Sequence, residues 1–218
     1  MTGRERCVAA SRGGELDRAP VILLTGKSAS ADAVVVELCD VERALAQSPN
    51  QAVLVRVDGL HARVESSTVP LFDLIANDPE AADAKLEEIS LETSLACANA
   101  LGSGADGVLY RLTGAHPAAT SPMQYGSFFL ERDRSILEAI TDARFNVVLV
   151  EADTEPYLDF LTDLPCHVLA WTATEDVNLS DLRAMKGGAL GTPRPGGDVL
   201  IAQTPESISS LLAGALSS

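Results

Sequence analysis

Basic residues, aromatics and cysteines are all scarce in this chain. Of 218 residues, 16 are Lys or Arg against 31 Asp or Glu, a formal net charge of −15. Such a balance repels phosphate unless the cations cluster, and here they are scattered; this excludes a nucleic-acid binder and disfavours an anionic membrane surface. Aromatics make up only 4%, so Val, Leu, Ile and Ala must fill the core. No apolar run approaches the ~20 residues of a spanning helix. The opening segment, charged at Arg4, Glu5, Arg6, Glu15, Asp17 and Arg18, has no apolar stretch of the signal-peptide kind. Cys7, Cys39, Cys97 and Cys166 form no Cys-x-x-Cys pair. They read as reduced thiols in a cytoplasmic setting, with neither a disulfide framework nor a metal implied.

What is present is a folded core. The chain is 46% hydrophobic and shows no low-complexity linker, so residues 1–218 read as a single domain. Short β-branched runs alternate with helical stretches. The predicted strands are Pro20–Thr25, Ala33–Glu37, Ala52–Val57, Gly107–Leu112, Asn146–Glu151 and His167–Trp171, with weaker ones at Gly188–Leu190 and Asp198–Ala202. Nearly continuous apolar strands point to a parallel sheet covered on both faces. Asp78-Pro79, Ser121-Pro122 and Thr204-Pro205 each read as an N-cap followed by Pro at the first helical position. The helix after Asp78 carries Ala82, Leu86, Ile89, Thr93, Ala96 and Ala100 on one stripe and should stop at Gly102–Gly104. The helix after Ser121 is expected to bury Met123, Phe128 or Phe129, Ile136 and Ile140. Shorter helices fit Leu38–Gln47, Glu155–Thr162 and Leu179–Met185, and the helix after Thr204 should bury Ile208, Leu211, Leu212 and Ala215.

This order implies α/β architecture and a (β/α) barrel. The gaps Thr25–Ala33 and Leu190–Asp198 are too short for a crossover helix, which takes about ten residues or more. A shortened barrel with fewer than eight complete βα units is therefore expected.

A run of landmarks carries a resemblance. Gly3–Val21 reads as an Arg-Glu-Arg helix, a basic-Gly turn and an Asp-Arg-x-Pro before the first strand; Asn77-Asp78-Pro79-Glu80, Gly104-Ala105-Asp106-Gly107, Ser121-Pro122 and Thr204-Pro205-Glu206 follow. In this order they resemble the uroporphyrinogen decarboxylase superfamily. The resemblance implies a distorted, shortened TIM-type barrel and a homodimer. It also implies either metal-free decarboxylation of acidic tetrapyrroles, as in porphyrin metabolism, or zinc-dependent methyl transfer with corrinoid partners.

The family's site equipment maps poorly. The substrate-binding arginines of the decarboxylases fall near Thr25 and Ala29, where only Lys27 offers a positive charge to an anion. Their pyrrole-binding carboxylate falls on Asp40, which also suits an N-cap. Their Tyr falls near Ser66 or Ser67, their Asp-Ser on Arg111-Leu112, and their late His beyond Ser218. The methyltransferases' His-x-Cys-Gly falls on Glu151-Ala152-Asp153, without zinc ligands. Cys166-His167 open a strand, where successive side chains point to opposite faces.

Strand ends at the C-terminal face of such a barrel carry the chemistry. Asp58 with His61, Arg111 with His116, Glu151 with Asp153, Thr172 with Glu175, and Arg194 are placed there. One reading is an Arg111–Glu151 structural ion pair. The other is a polar pocket in which Arg111 and Arg194, with Lys27, His61 and His116, hold an acidic small molecule while Asp40, Asp58, Glu151 or Asp153 transfers a proton. The Gly191–Gly197 loop lacks the Gly-Lys-Ser/Thr ending of a P-loop. The expectation is thus a uroporphyrinogen decarboxylase-like protein needing no cofactor. If active it is a carboxy-lyase. The alternatives are a non-catalytic ligand-binding or interaction protein on the same scaffold, or a relative of the corrinoid-dependent methyltransferases.

Overall fold

The computed structural model describes residues 1–26, 28–67, 70–152, 154–172, 182, 184–186, 188–193 and 198–202. Eight strands hydrogen-bond in sequence order and close into a barrel. They are β1 (Val21–Leu23), β2 (Ala33–Val36), β3 (Ala52–Asp58), β4 (Gly107–Leu112), β5 (Val147–Val150), β6 (Val168–Trp171), β7 (Ala189–Pro193) and β8 (Asp198–Ala202). The first seven run parallel. β8 is antiparallel to both β7 and β1.

The two short gaps are now accounted for. β1 and β2 pair directly, with no helix between them. β7 runs on to Pro193, further than expected, and turns back into β8, so a hairpin replaces a crossover. The barrel is closed although its βα units are incomplete.

Helices clothe the outside, apart from the first, which plugs the N-terminal end of the barrel. They are α1 (Gly3–Ser11), α2 (Val41–Gln47), α3 (Leu60–Ser66), α4 (Leu71–Asn77), α5 (Pro79–Gly102), α6 (Pro122–Tyr125), α7 (Glu131–Glu138) and α8 (Leu158–Leu161). Asp78 caps α5 through Ala81 N–H, with Pro79 at the first turn. The α5 seam is Ala82, Leu86, Ile89, Thr93, Cys97 and Ala100. Cys97 therefore takes the place expected of Ala96, as the seam drifts along a long helix. Ser121 and Gln124 form a reciprocal capping box at α6.

The expected continuous helix after Ser121 is interrupted by a π turn at Gly126–Leu130. Its buried face is Tyr125, Phe129, Asp133, Ile136 and Ile140; Met123 lies off this seam and is 80% exposed, contrary to expectation. Leu38–Asp40 is a 3-10 turn leading into α2, and only Leu158–Leu161 of the Glu155–Thr162 stretch is helical. α3 and α4 were not anticipated. The expected helix after Thr204 and most of Leu179–Met185 lie outside the described residues.

Two apolar layers follow from strand alternation. Outward residues such as Val53, Val55, Tyr110 and Val148 meet the helices. Inward residues such as Ile22, Leu54, Leu109 and Leu149 fill the lumen. These aliphatics and several alanines fill the space that aromatics fill elsewhere.

The floor of the barrel is sealed by charge. Arg4 Nε and Val53 N–H both donate to Oδ2 of the buried Asp106, at 3.0 and 2.9 Å, while Arg144 donates to its Oδ1 at 3.1 Å. Arg6 bridges Asp17 and Asp32, and Arg18 reaches Asp32 at 2.7 Å. Val21 N–H also donates to Asp32. Asp32 and Asp106 each precede a strand, so these networks tie α1 to the N-terminal face. The Arg-Glu-Arg, Asp-Arg and Gly-Ala-Asp landmarks are therefore structural ties.

A third buried carboxylate lies between sheet and helices. Asp133 on α7 accepts from Tyr110 Oη at 2.6 Å and from Leu60 N–H at 3.2 Å. Its other oxygen has no hydrogen-bond partner. Burial pushes its pKa up to about 6, against these hydrogen bonds, which lower it.

Candidate functional site

Inward alternation continues past the apolar lumen to the C-terminal rim. Leu54 is followed on the same face by Arg56 and Asp58, Leu109 by Arg111, Leu149 by Glu151, and Ala170 by Thr172. Val35 is likewise followed by Glu37. The register sets Asp58 beside Arg111 across β3 and β4.

Arg111 is clamped. Its Nε donates to Asp58 Oδ1 at 2.6 Å and its NH1 to Glu151 Oε2 at 2.9 Å. The hydrogen bond to Asp58, then that to Glu151, raises its pKa and outweighs desolvation. Three strand ends are thereby cross-braced by one guanidinium. Thr172 Oγ1 accepts Ala152 N–H at 3.0 Å, extending the bracing to β6.

The other expected site residues are placed as follows. Asp40 sits at the end of the 3-10 turn, bound by Arg43 at 2.6 Å, and its side chain does not cap α2. It borders a recess of about 360 Å³ that also touches Thr25, Glu37 and Arg56. His61 is buried on α3, its Nδ1 3.0 Å from Thr113 Oγ1 and its ring edge-on to Phe129. Gly114, at φ +81°, leaves room for that ring, since a Cβ there would fall 2.4 Å from it. Burial lowers the His61 pKa, with Glu65 acting in the opposite direction. His116 is also buried, its Nδ1 3.4 Å from Thr154 Oγ1. Lys27, Asp153 and Arg194 lie outside the described residues.

The residue that sequence reading missed is Arg56. Its NH2 donates to Leu24 O at 3.1 Å, while its buried Nε has no hydrogen-bond partner. The spacing Leu54-Arg56-Asp58 was the available signal, because it sets Arg56 on the lumen face one step below Asp58. Arg56 borders both the recess beside Asp40 and a larger cleft of about 600 Å³. That cleft reaches from Glu37 and Asp58 to the end of α3 and the face of α5.

The donor set does not suit zinc. Zinc favours thiolate and imidazole, yet the carboxylates of Asp58 and Glu151 are engaged by Arg111, and both mouth histidines are buried against hydroxyls. Cys166 and His167 lie at the opposite end of β6, where His167 Nδ1 accepts Asn146 N–H at 2.9 Å. Among the described residues no group of three His, Cys, Asp or Glu is placed to hold a metal ion. Nor is any described helix long and apolar enough to cross a membrane.

No family model matches the chain, and no curated protein matches it. Its likeness is to solved structures. A methyltransferase from Methanosarcina mazei superposes with a TM-score of 0.72 at 13% identity, over 90% of this chain and 84% of the other. The fold is that of the methyltransferase. At this identity the likeness speaks for the fold alone. A variant of NCR from Zymomonas mobilis aligns over 98% of this chain and 72% of its own, at 10% identity and a TM-score of 0.47, too low to support any argument.

Proposed function

We propose that the chain is a divergent relative of the corrinoid-dependent methyltransferases of the uroporphyrinogen decarboxylase-like superfamily. In this reading it keeps the barrel mouth as a small-ligand site and has lost the zinc-assisted step. The observation that carries the proposal is the Asp58–Arg111–Glu151 clamp on a methyltransferase-like barrel. Glu151, where the family resemblance sets a zinc donor, is instead tied into an ion triad with Arg111 and Asp58. The same triad disfavours the decarboxylase reading, because Arg111 already has two carboxylates and cannot offer a free fork to a polyacid. A net charge of −15 adds a general repulsion toward such substrates.

The test is a pair of activity assays with metal analysis. Purified protein equilibrated with zinc and then dialysed is expected to retain no stoichiometric metal. It is also expected to leave methylcobalamin intact in the presence of a thiol, judged by its visible spectrum. Stoichiometric zinc with demethylation would refute the loss of the metal-assisted step. Conversion of uroporphyrinogen to coproporphyrinogen would restore the decarboxylase reading.

A further inference from the structure

Four cations border the larger cleft at the mouth: Arg56, Arg63, Lys85 and Arg111. Three already have carboxylate partners. Arg63 meets Glu92 at 2.8 Å, Lys85 meets Glu88 at 2.8 Å, and Arg111 is held by Asp58 and Glu151. Arg56 has no carboxylate partner among the described residues, and its buried Nε donates to nothing. The acids divide the same way. Asp58 and Glu92 are engaged, whereas Glu37 forms no ion pair among the described residues. Glu37, just past the end of β2, and Arg56, on the adjacent β3, border both the cleft and the recess, yet their charged ends are not in ion-pair contact.

From this leftover pair we infer that the mouth binds a small aminocarboxylate, its carboxylate on Arg56 and its ammonium on Glu37. The inference rests on the mouth being a ligand site, as proposed above, and adds the class of ligand. A guanidinium without a carboxylate partner is suited to a carboxylate; the Arg56 Nε is closed off from solvent, so the ligand's oxygens meet the terminal nitrogens. The NH2 that bonds Leu24 O fixes the plane of the guanidinium. A second negative charge on the ligand would face Glu37 and the acidic rim. A zwitterion replaces that repulsion with a pairing and carries no net charge into a strongly acidic protein. The cleft of about 600 Å³ and the adjoining recess are ample for a molecule of amino-acid size. Arg111, which one sequence reading offered to the anion and the other to an ion pair with Glu151, serves in this inference to brace the wall.

The experiment follows the Arg56 Nε–H resonance of the full chain by ¹H–¹⁵N NMR. The probes are glycine, β-alanine and 4-aminobutyrate, with acetate, methylammonium and inorganic phosphate as comparisons. At least one aminocarboxylate is expected to shift this resonance saturably and to bind about tenfold more tightly than acetate or phosphate. Arg56→Gln is expected to abolish the binding as read by calorimetry. Glu37→Gln, on the exposed rim, is expected to weaken the aminocarboxylate about tenfold and leave acetate unchanged.

No shift with any probe up to roughly 10 mM overturns the inference. So does phosphate or acetate binding as tightly as the best aminocarboxylate, and so does indifference to Glu37→Gln. The two readings fail separately. Stoichiometric zinc with methylcobalamin demethylation refutes the loss of the metal step while Arg56 still answers to aminocarboxylates. A silent Arg56 with no zinc removes only the assignment of ligand class.

Discussion

Replacing Asp133 by Asn should change how stability depends on pH. In the folded chain burial holds this carboxyl at about 6, whereas its ordinary value is 3.8. The folded state therefore binds the proton more tightly than the unfolded state. The stability this proton contributes is fully present below the unfolded value and is lost as pH rises through the folded one. At about 1.4 kcal/mol for each pH unit between the two values, the full change is about 3 kcal/mol. The substituted amide cannot titrate, yet its oxygen can still accept from Tyr110 Oη and Leu60 N–H, the two donors that hold Asp133. Urea unfolding followed by fluorescence of the single tryptophan, Trp171, is the assay. This residue is only 3% exposed in the folded chain. The stability of D133N minus that of the parent should rise by about 2 kcal/mol between roughly pH 4 and pH 7, most of the full change. Other carboxylates titrate in both proteins and cancel in the difference. A misfitting amide adds a constant and leaves the slope unchanged. A difference that is flat across this range would refute the assignment of a buried, proton-retaining carboxyl.

Further expectations concern the floor, the mouth and the sheet. Asp106→Ala leaves Arg4 and the Val53 N–H without their buried acceptor; it should cost about 3 kcal/mol in urea unfolding, and a loss below roughly 1 kcal/mol would contradict a sealing role. Arg111→Met sets Asp58 and Glu151 free on a half-exposed rim; the expected loss is about 1 kcal/mol, reduced by added salt because like charges then face each other. A salt-independent loss would instead point to packing. Gly107→Ala would set a Cβ 1.9 Å from Phe145 O; soluble, cooperatively unfolding protein with this substitution would show that β4 and the Phe145 segment separate more easily than their contact implies.

Strand positions were readable because β-branched runs in a barrel wall are apolar on both faces, and β3 to β6 fall within a residue or two of expectation. Strand direction was not readable. Nothing in Asp198–Ala202 encodes whether it runs with or against β7; only the short interval before it hints at a hairpin. α3 and α4 escaped because they are short helices whose buried residues answer to distant partners, such as Leu60 to Asp133 on α7. At the mouth, Asp58, Arg111 and Glu151 could be brought together because each is a last inward position of its strand. The surroundings of His61 and His116 could not be read, since Gly114, Phe129 and Thr154 come from other elements. Arg56 escaped notice because a charge inside an apolar strand looks like an interruption. On a lumen face it is the first polar step above the core.

The sealed floor also bears on how proteins of this shape are compared. Its arginines and aspartates join the helix that plugs the barrel to the entrances of β2 and β4, a task set by architecture and indifferent to what enters the other end. Signatures drawn from that end therefore act as a builder's mark: two barrels can share it and still have unrelated trades. In the reading proposed for this chain, the vocabulary that distinguishes one occupant from another is written at the opposite pole, in Glu37, Arg56, Asp58, Arg111 and Glu151. Any catalogue of such barrels sorted by chemistry must be indexed there.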